Sequence, residues 1–311
     1  MKTPAVGALV VGLFAGTACL PGDIRPEPGH IFVAIEGSKA AVEGFTTDDG
    51  WTLHFDKLLV GMGYVLLAGE SCNNYADARY DRLFDLAVPG RQKVGEVYGL
   101  EECEIQMHHW APSSTAYLGT NVTEADRTFM RKRHTTWIKP SGRTAMYLRG
   151  NASRGTVTKR FDWRFTGRLT LTDCMSPKDG SIGTSMKLKA GDDQRPALVF
   201  HPEDLFRDGV EPNAPRRFEA LALADTNDDG LVSLREVSKI PAPLMEWSPE
   251  MIAEAGVPDG GVIIDDESRL QGWARFMRQI LWPSLFAFDG RPCQDHPEKS
   301  VRDEFEFEID F

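Results

Sequence analysis

Short apolar or alternating runs recur through residues 30–200. In Trp51–Val60, Trp51, Leu53 and Phe55 fall on one side of an extended chain, and Thr52, His54 and Asp56 on the other. Similar short runs recur at Ile31–Ile35, Tyr64–Ala68, Leu83–Val88, Cys103–Trp110, Thr144–Arg149, Val157–Phe165, Leu169–Thr172, Ser185–Leu188 and Ala197–Phe200. Clusters of Gly, Pro, Asn and Asp separate most of them. Many short strands with turn signals predict a sandwich or a barrel. Thr123–Met130 is the exception and predicts a helical turn or two. Beyond residue 200 the spacing changes. Pro215–Ala224 sets Phe218, Leu221 and Ala222 on one helical face, and Leu234–Ile240 predicts a short helix stopped by Pro241 and Pro243. The predicted fold class is therefore α+β: an N-terminal β-rich, sandwich-like domain followed by a C-terminal helical module.

Between those two predicted helices lies DTNDDGLVSLREV, residues 225–237. Asp225, Asn227 and Asp229 place short side-chain oxygens on alternate residues of a turn. Gly230 allows a sharp bend, Leu231 offers a backbone carbonyl, Ser233 can hold a water, and Glu236 can reach back with two oxygens. Calcium takes six to eight oxygens at flexible distances, and this spacing fills the pattern D-x-[DN]-x-[DN]-G-x5-E. The stretch resembles an EF-hand calcium loop over the loop and its flanking helices. The resemblance implies Ca2+ as the bound ion, with Asp225, Asn227, Asp229, Leu231, Ser233 and Glu236 around it. It also implies a partner loop joined through the residue at the place of Val232. Gly256–Glu267 could supply that partner, with Ile263 opposite Val232. Its Gly256, Pro258 and Gly260 carry no side-chain oxygen, so it reads either as a degenerate second loop or as an ordinary helix–turn–helix. Ser248-Pro249 opens a helix before it. Ser268–Leu281 continues after it, with Leu270, Trp273, Ala274, Met277 and Leu281 in one stripe.

The N-terminus changes the compartment. Lys2, the apolar run Val6–Ala15 and the small residues before Cys19 form a signal peptide too short to span a bilayer. Cys19 stands where bacterial lipoproteins carry their lipid, although Gly16 occupies a place where Leu is usual. Plain cleavage after Ala18 is the alternative. The Pro- and Gly-rich stretch from Pro21 to Gly29 predicts a tether. Lipidation of Cys19 leaves Cys72, Cys103, Cys174 and Cys293, enough for two disulfides whose pairing is open. The expected organisation is a signal peptide at 1–18, a tether at 19–29, a β-rich domain at 30–200, an EF-hand-like helical module at 201–290 and an acidic tail at 291–311.

The net charge of −11 disfavours nucleic acid and anionic membranes as partners. Membrane attachment is expected only through the lipid, and no protein or glycan partner is indicated. Gly50-Trp51 followed by Phe55-Asp56-Lys57 resembles β-rich secreted lipoproteins of environmental bacteria. No G-x-S-x-G, H-E-x-x-H or P-loop occurs, and Gly61-Met-Gly63 lacks the third glycine of a dinucleotide fingerprint. Met107-His108-His109 with His54 would suit copper. Neighbouring strand residues point to opposite faces, however, which favours plain strand histidines. Glu304–Phe311 alternates acids with apolar residues, as in the last strand of an outer-membrane barrel, but upstream strands of that kind are missing. An edge strand or an acidic tail is the expectation there. The resulting expectation is a non-enzymatic calcium-binding lipoprotein of the cell envelope, with calcium as a structural clip. A secreted hydrolase or carbohydrate-active enzyme is the alternative.

Overall fold

A computed structural model describes residues 26–132, 134–135, 140–175, 179–240, 273, 276–277 and 281–295. Two strands organise it, Thr52–Ala68 and Gln92–His109. The first half of Gln92–His109 pairs antiparallel with Gly29–Gly37 and with Asn73–Ala76. At Glu101 the backbone enters the left-handed region at φ 70°. The second half then pairs with Met62–Ala68, Leu169–Leu171 and Ser185–Leu188. One strand thus belongs to two sheets and curls them around a common core. The left-handed residue at Glu101 marks the place where the strand passes from one sheet to the other.

The sheet built on Thr52–Ala68 continues outward through Thr144–Arg154 and then Val157–Thr166. The last two form a hairpin, and its turn residue Gly155 takes φ 59°, which suits a tight two-residue connection. The other sheet extends from Gly29–Gly37 to the parallel strand Ala197–Phe200, and from there to Phe286–Phe288. The predicted strands Leu169–Thr172, Ser185–Leu188 and Ala197–Phe200 form with those bounds. The predicted turn at Thr123 forms the helix Glu124–Arg131, where Thr123 and Asp126 make a reciprocal capping box.

The α+β expectation with a C-terminal helical EF-hand-like module is overturned. The molecule is dominated by one curled β-structure with a few short helices. Glu219–Ala222 and Leu234–Val237, which flank the Asp225 loop, are four residues each. The predicted faces are right, since Phe218, Leu221 and Ala222 are buried. Their backbone, however, finds partners in the β-body. Arg217 donates its N–H to the Phe206 carbonyl at 2.7 Å, and Arg216 donates to Asp48 at 2.7 Å. A carboxylate oxygen of Asp49 accepts from the amides of Phe218 and Glu219 at 2.9 and 2.8 Å, which starts the helix late.

Residues beyond 200 also share the core. Phe161 and Trp163 of the sheet lie 5.0 Å apart between ring centroids, Trp163 and Phe206 lie 5.6 Å apart, and Phe206 and Phe218 6.0 Å. Such aromatic pairs are worth about 0.5–1.5 kcal/mol each beyond their burial. Phe286 and Phe288, near the end of the described chain, are fully buried in the same cluster. Residues 1–18, Cys19, Ser248, Gly256–Glu267 with Ile263, and Glu304–Phe311 lie outside the described residues. Of the expected 268–281 stripe, Trp273, Met277 and Leu281 are described, and all three are buried.

Candidate functional site

The Asp225 loop begins as a turn held by its own side chains. Asp225 accepts the amides of Asp229 at 3.2 Å and Gly230 at 2.9 Å. Asn227 accepts from Asp229 at 3.1 Å, and Asp229 accepts from Leu231 at 2.7 Å. Short Asp and Asn side chains favour this kind of turn because they can substitute for backbone acceptors two residues on. Asp228 and Gly230 both sit at positive φ, 55° and 76°. For Gly230 this is the bend expected from its place in the motif.

The turn then becomes a strand. Leu231–Ser233 pairs in parallel with Arg160–Asp162, with Val232 opposite Phe161. Arg160 donates its amide to the Gly230 carbonyl at 2.8 Å, and the Trp163 indole N–H donates to the Val232 carbonyl at 2.8 Å. The backbone that a paired loop would have engaged is therefore engaged by the β-sheet. Val232 is fully buried, and its extended backbone has to be satisfied by some partner. The EF-hand resemblance thus reaches the loop's spacing and stops there; among the described residues no EF-hand or helical module is formed.

Asp225, Asn227 and Asp229 are brought together on the turn, whereas Glu236 is used differently. One of its carboxylate oxygens accepts from the Ser233 amide at 2.9 Å and from the Ser233 hydroxyl at 2.8 Å, while Ser233 caps the amide of Glu236. This reciprocal box starts the helix Leu234–Val237. Among the described residues, no three His, Cys, Asp or Glu side chains gather into a metal-holding group. The short side chains of Asp225, Asn227 and Asp229 are spent on the turn's own amides and on each other, Glu236 is held in its cap, and Leu231 and Ser233 lie on the strand just beyond the turn.

A residue the motif does not contain completes the site. Lys159 donates from Nζ to Asp225 Oδ2 at 2.7 Å and approaches Asp228 Oδ1 at 3.4 Å. The Asp225 side chain has no solvent exposure, and Lys159 keeps 14%. The ammonium's hydrogen bond holds the Asp225 carboxyl below its usual range, and the same bond raises the Lys159 pKa. The sequence carried a signal for Lys159. In Val157–Thr166, residues 157, 159, 161, 163 and 165 share the face that buries Phe161, Trp163 and Phe165. A lysine in that row points towards the interior and needs a carboxylate.

The histidines are separated. His109 is fully buried, with Nδ1 2.6 Å from the Gly61 carbonyl and Nε2 accepting from the Trp282 indole at 3.2 Å. This pairing requires the neutral ring with its proton on Nδ1. Burial pushes the pKa down to about 4, against a smaller opposing effect of the Gly61 bond. His108 stacks on Trp110 at 5.3 Å and is also pushed down to about 4, by burial and then by Arg168. His54 is exposed and distant from them in register, opposite Asn151. Gly61 and Gly63, which resembled part of a nucleotide loop, lie within the strand Thr52–Ala68. A Cβ on Gly61 would meet the Trp110 carbonyl oxygen at 2.1 Å, and one on Gly63 would meet the Trp110 ring at 2.2 Å. Both glycines serve close packing.

The cysteine pairing left open by sequence is Cys72–Cys103 and Cys174–Cys293. The second joins the segment after Leu169–Thr172 to the last described strands. Compared with family models, with curated proteins and with solved structures, the chain finds no match in any of the three.

Proposed function

We propose that this protein is a non-enzymatic, calcium-clipped β-structure that works outside the cytoplasm, attached to the cell envelope through a lipid on Cys19. Calcium is its structural ion, taken by Asp225, Asn227 and Asp229, with the Leu231 carbonyl, Ser233 and Glu236 completing the oxygen set. The observation that carries the reading is the attachment of this loop to the sheet, through Leu231–Ser233 against Arg160–Asp162 and through Trp163 to Val232. An ion that rigidifies the turn would fasten the chain beyond residue 200 onto the β-body. Two disulfides support an oxidising compartment.

The test is thermal unfolding of the purified mature protein in calcium and in chelator. Extracellular calcium modules bind with Kd on the order of 10⁻⁴ to 10⁻³ M. At ten times such a Kd, linkage gives about 1.4 kcal/mol of stabilisation. Magnesium, which demands a tighter octahedron, should give much less. Identical melting in calcium and in chelator would refute the clip.

A further inference from the structure

We propose that Lys159 is the built-in cation of the Asp225 loop, an ammonium that calcium must displace, and that it thereby sets the calcium level at which the clip closes. The inference rests on the calcium reading above and names the residue that regulates it.

Asp225 is the first residue of the motif, and its side chain has no solvent exposure. A carboxylate so placed needs a compensating positive charge. Backbone amides supply part of the compensation, and Lys159 Nζ supplies the charge at 2.7 Å from Oδ2. That oxygen is one an incoming cation would use. A divalent ion and an ammonium cannot share it, because two positive charges at such separation repel strongly in a partly buried site. Binding is therefore an exchange.

The exchange has an exit. Asp228 falls at a position of the motif that contributes no ligand, its side chain is 95% exposed, and it already lies 3.4 Å from the same ammonium. Its left-handed backbone turns it outward. Lys159 can swing from Asp225 towards Asp228 and solvent while its own strand stays paired to the loop through Arg160 and Gly230. The strand that holds the loop thus also carries the ion's competitor. The cap on Ser233 satisfies Glu236, and Lys159 satisfies Asp225, so calcium has to replace both contacts.

Lys159→Met keeps most of the aliphatic stem and removes the charge. Calcium binding is measured by isothermal titration calorimetry on the wild type and on this variant, with melting in chelator alongside. The expected result is about tenfold or greater tightening of calcium affinity in Lys159→Met, together with a lower melting temperature in chelator. Lys159→Arg, which keeps the charge, stays near the wild-type affinity. A second measurement uses the unaltered protein: amine-specific labelling of Lys159, read by mass spectrometry, should rise severalfold when calcium is added and stay flat with magnesium. If the wild type binds calcium but Lys159→Met binds no tighter, or Lys159 labelling ignores calcium, the exchange is overturned and the clip survives. If only Lys159→Met binds, calcium never displaces the ammonium, and both the exchange and the calcium function of the natural protein are overturned. Should neither bind, both fall.

Discussion

The Trp163 indole N–H donates to the carbonyl of Val232 at 2.8 Å, across 69 positions of sequence. Trp163 is fully buried against Phe161 and Phe206, so the bond lies in the core. It anchors the loop strand to the sheet at the residue through which a paired calcium loop would join its partner.

Trp163→Phe should therefore weaken the protein in two ways. It leaves the Val232 carbonyl short of a donor and opens a small cavity. Together these should cost on the order of 2–4 kcal/mol. Chemical denaturation checks the value. A loss below about 0.5 kcal/mol would show that the strand Leu231–Ser233 is held by other contacts.

Glu236→Gln separates the helix cap from the ion. Glutamine can still accept from Ser233, so the capping box and the stability in chelator should change by less than about 1 kcal/mol. The charge is lost, and with it most of the stabilisation by calcium. Equal calcium shifts in the melting of wild type and variant would remove Glu236 from the ligand set.

Stability should fall as the pH drops from about 6.5 to about 4. His108 and His109 are held neutral in the fold, with pKa values near 4 against about 6.5 in the unfolded chain. Within that window the unfolded state binds more protons, so acid favours unfolding. Above 6.5 both states are neutral and this contribution is complete. The slope should approach about 1.4 kcal/mol per pH unit for each histidine. Urea denaturation at pH 7, 5.5 and 4.5 measures it. A flat profile would mean that both rings take up protons in the native protein as readily as in the unfolded chain.

Disulfide mapping under non-reducing conditions should recover Cys72–Cys103 and Cys174–Cys293. The first closes a separation of 31 residues and the second one of 119. In the chain-entropy description, removing the longer link should cost about 1 kcal/mol more. Paired-alanine variants compared by equilibrium unfolding test the order, and a larger loss from the Cys72–Cys103 pair would reverse it.

The amino-acid sequence by itself determined the local elements. Short alternating or apolar runs between turn signals marked Leu169–Thr172, Ser185–Leu188 and Ala197–Phe200. The local sequence also set the Asp225 turn, whose Asp, Asn and Gly residues satisfy one another within a few positions. Tertiary structure decided the rest. Helical spacing placed Phe218 and Leu221 correctly in the core but could not foresee that Asp49, from a distant turn, would start that helix late. Nor could spacing choose a partner for Val232, since an extended backbone pairs with whatever strand the fold brings alongside. Lys159, which the sequence reading passed over, shares the row of Phe161 and Trp163, and its carboxylate lies 66 residues away. Periodicity carries information about which side of an element is buried; the identity of the opposite group is set by the closing of the sheets around one core.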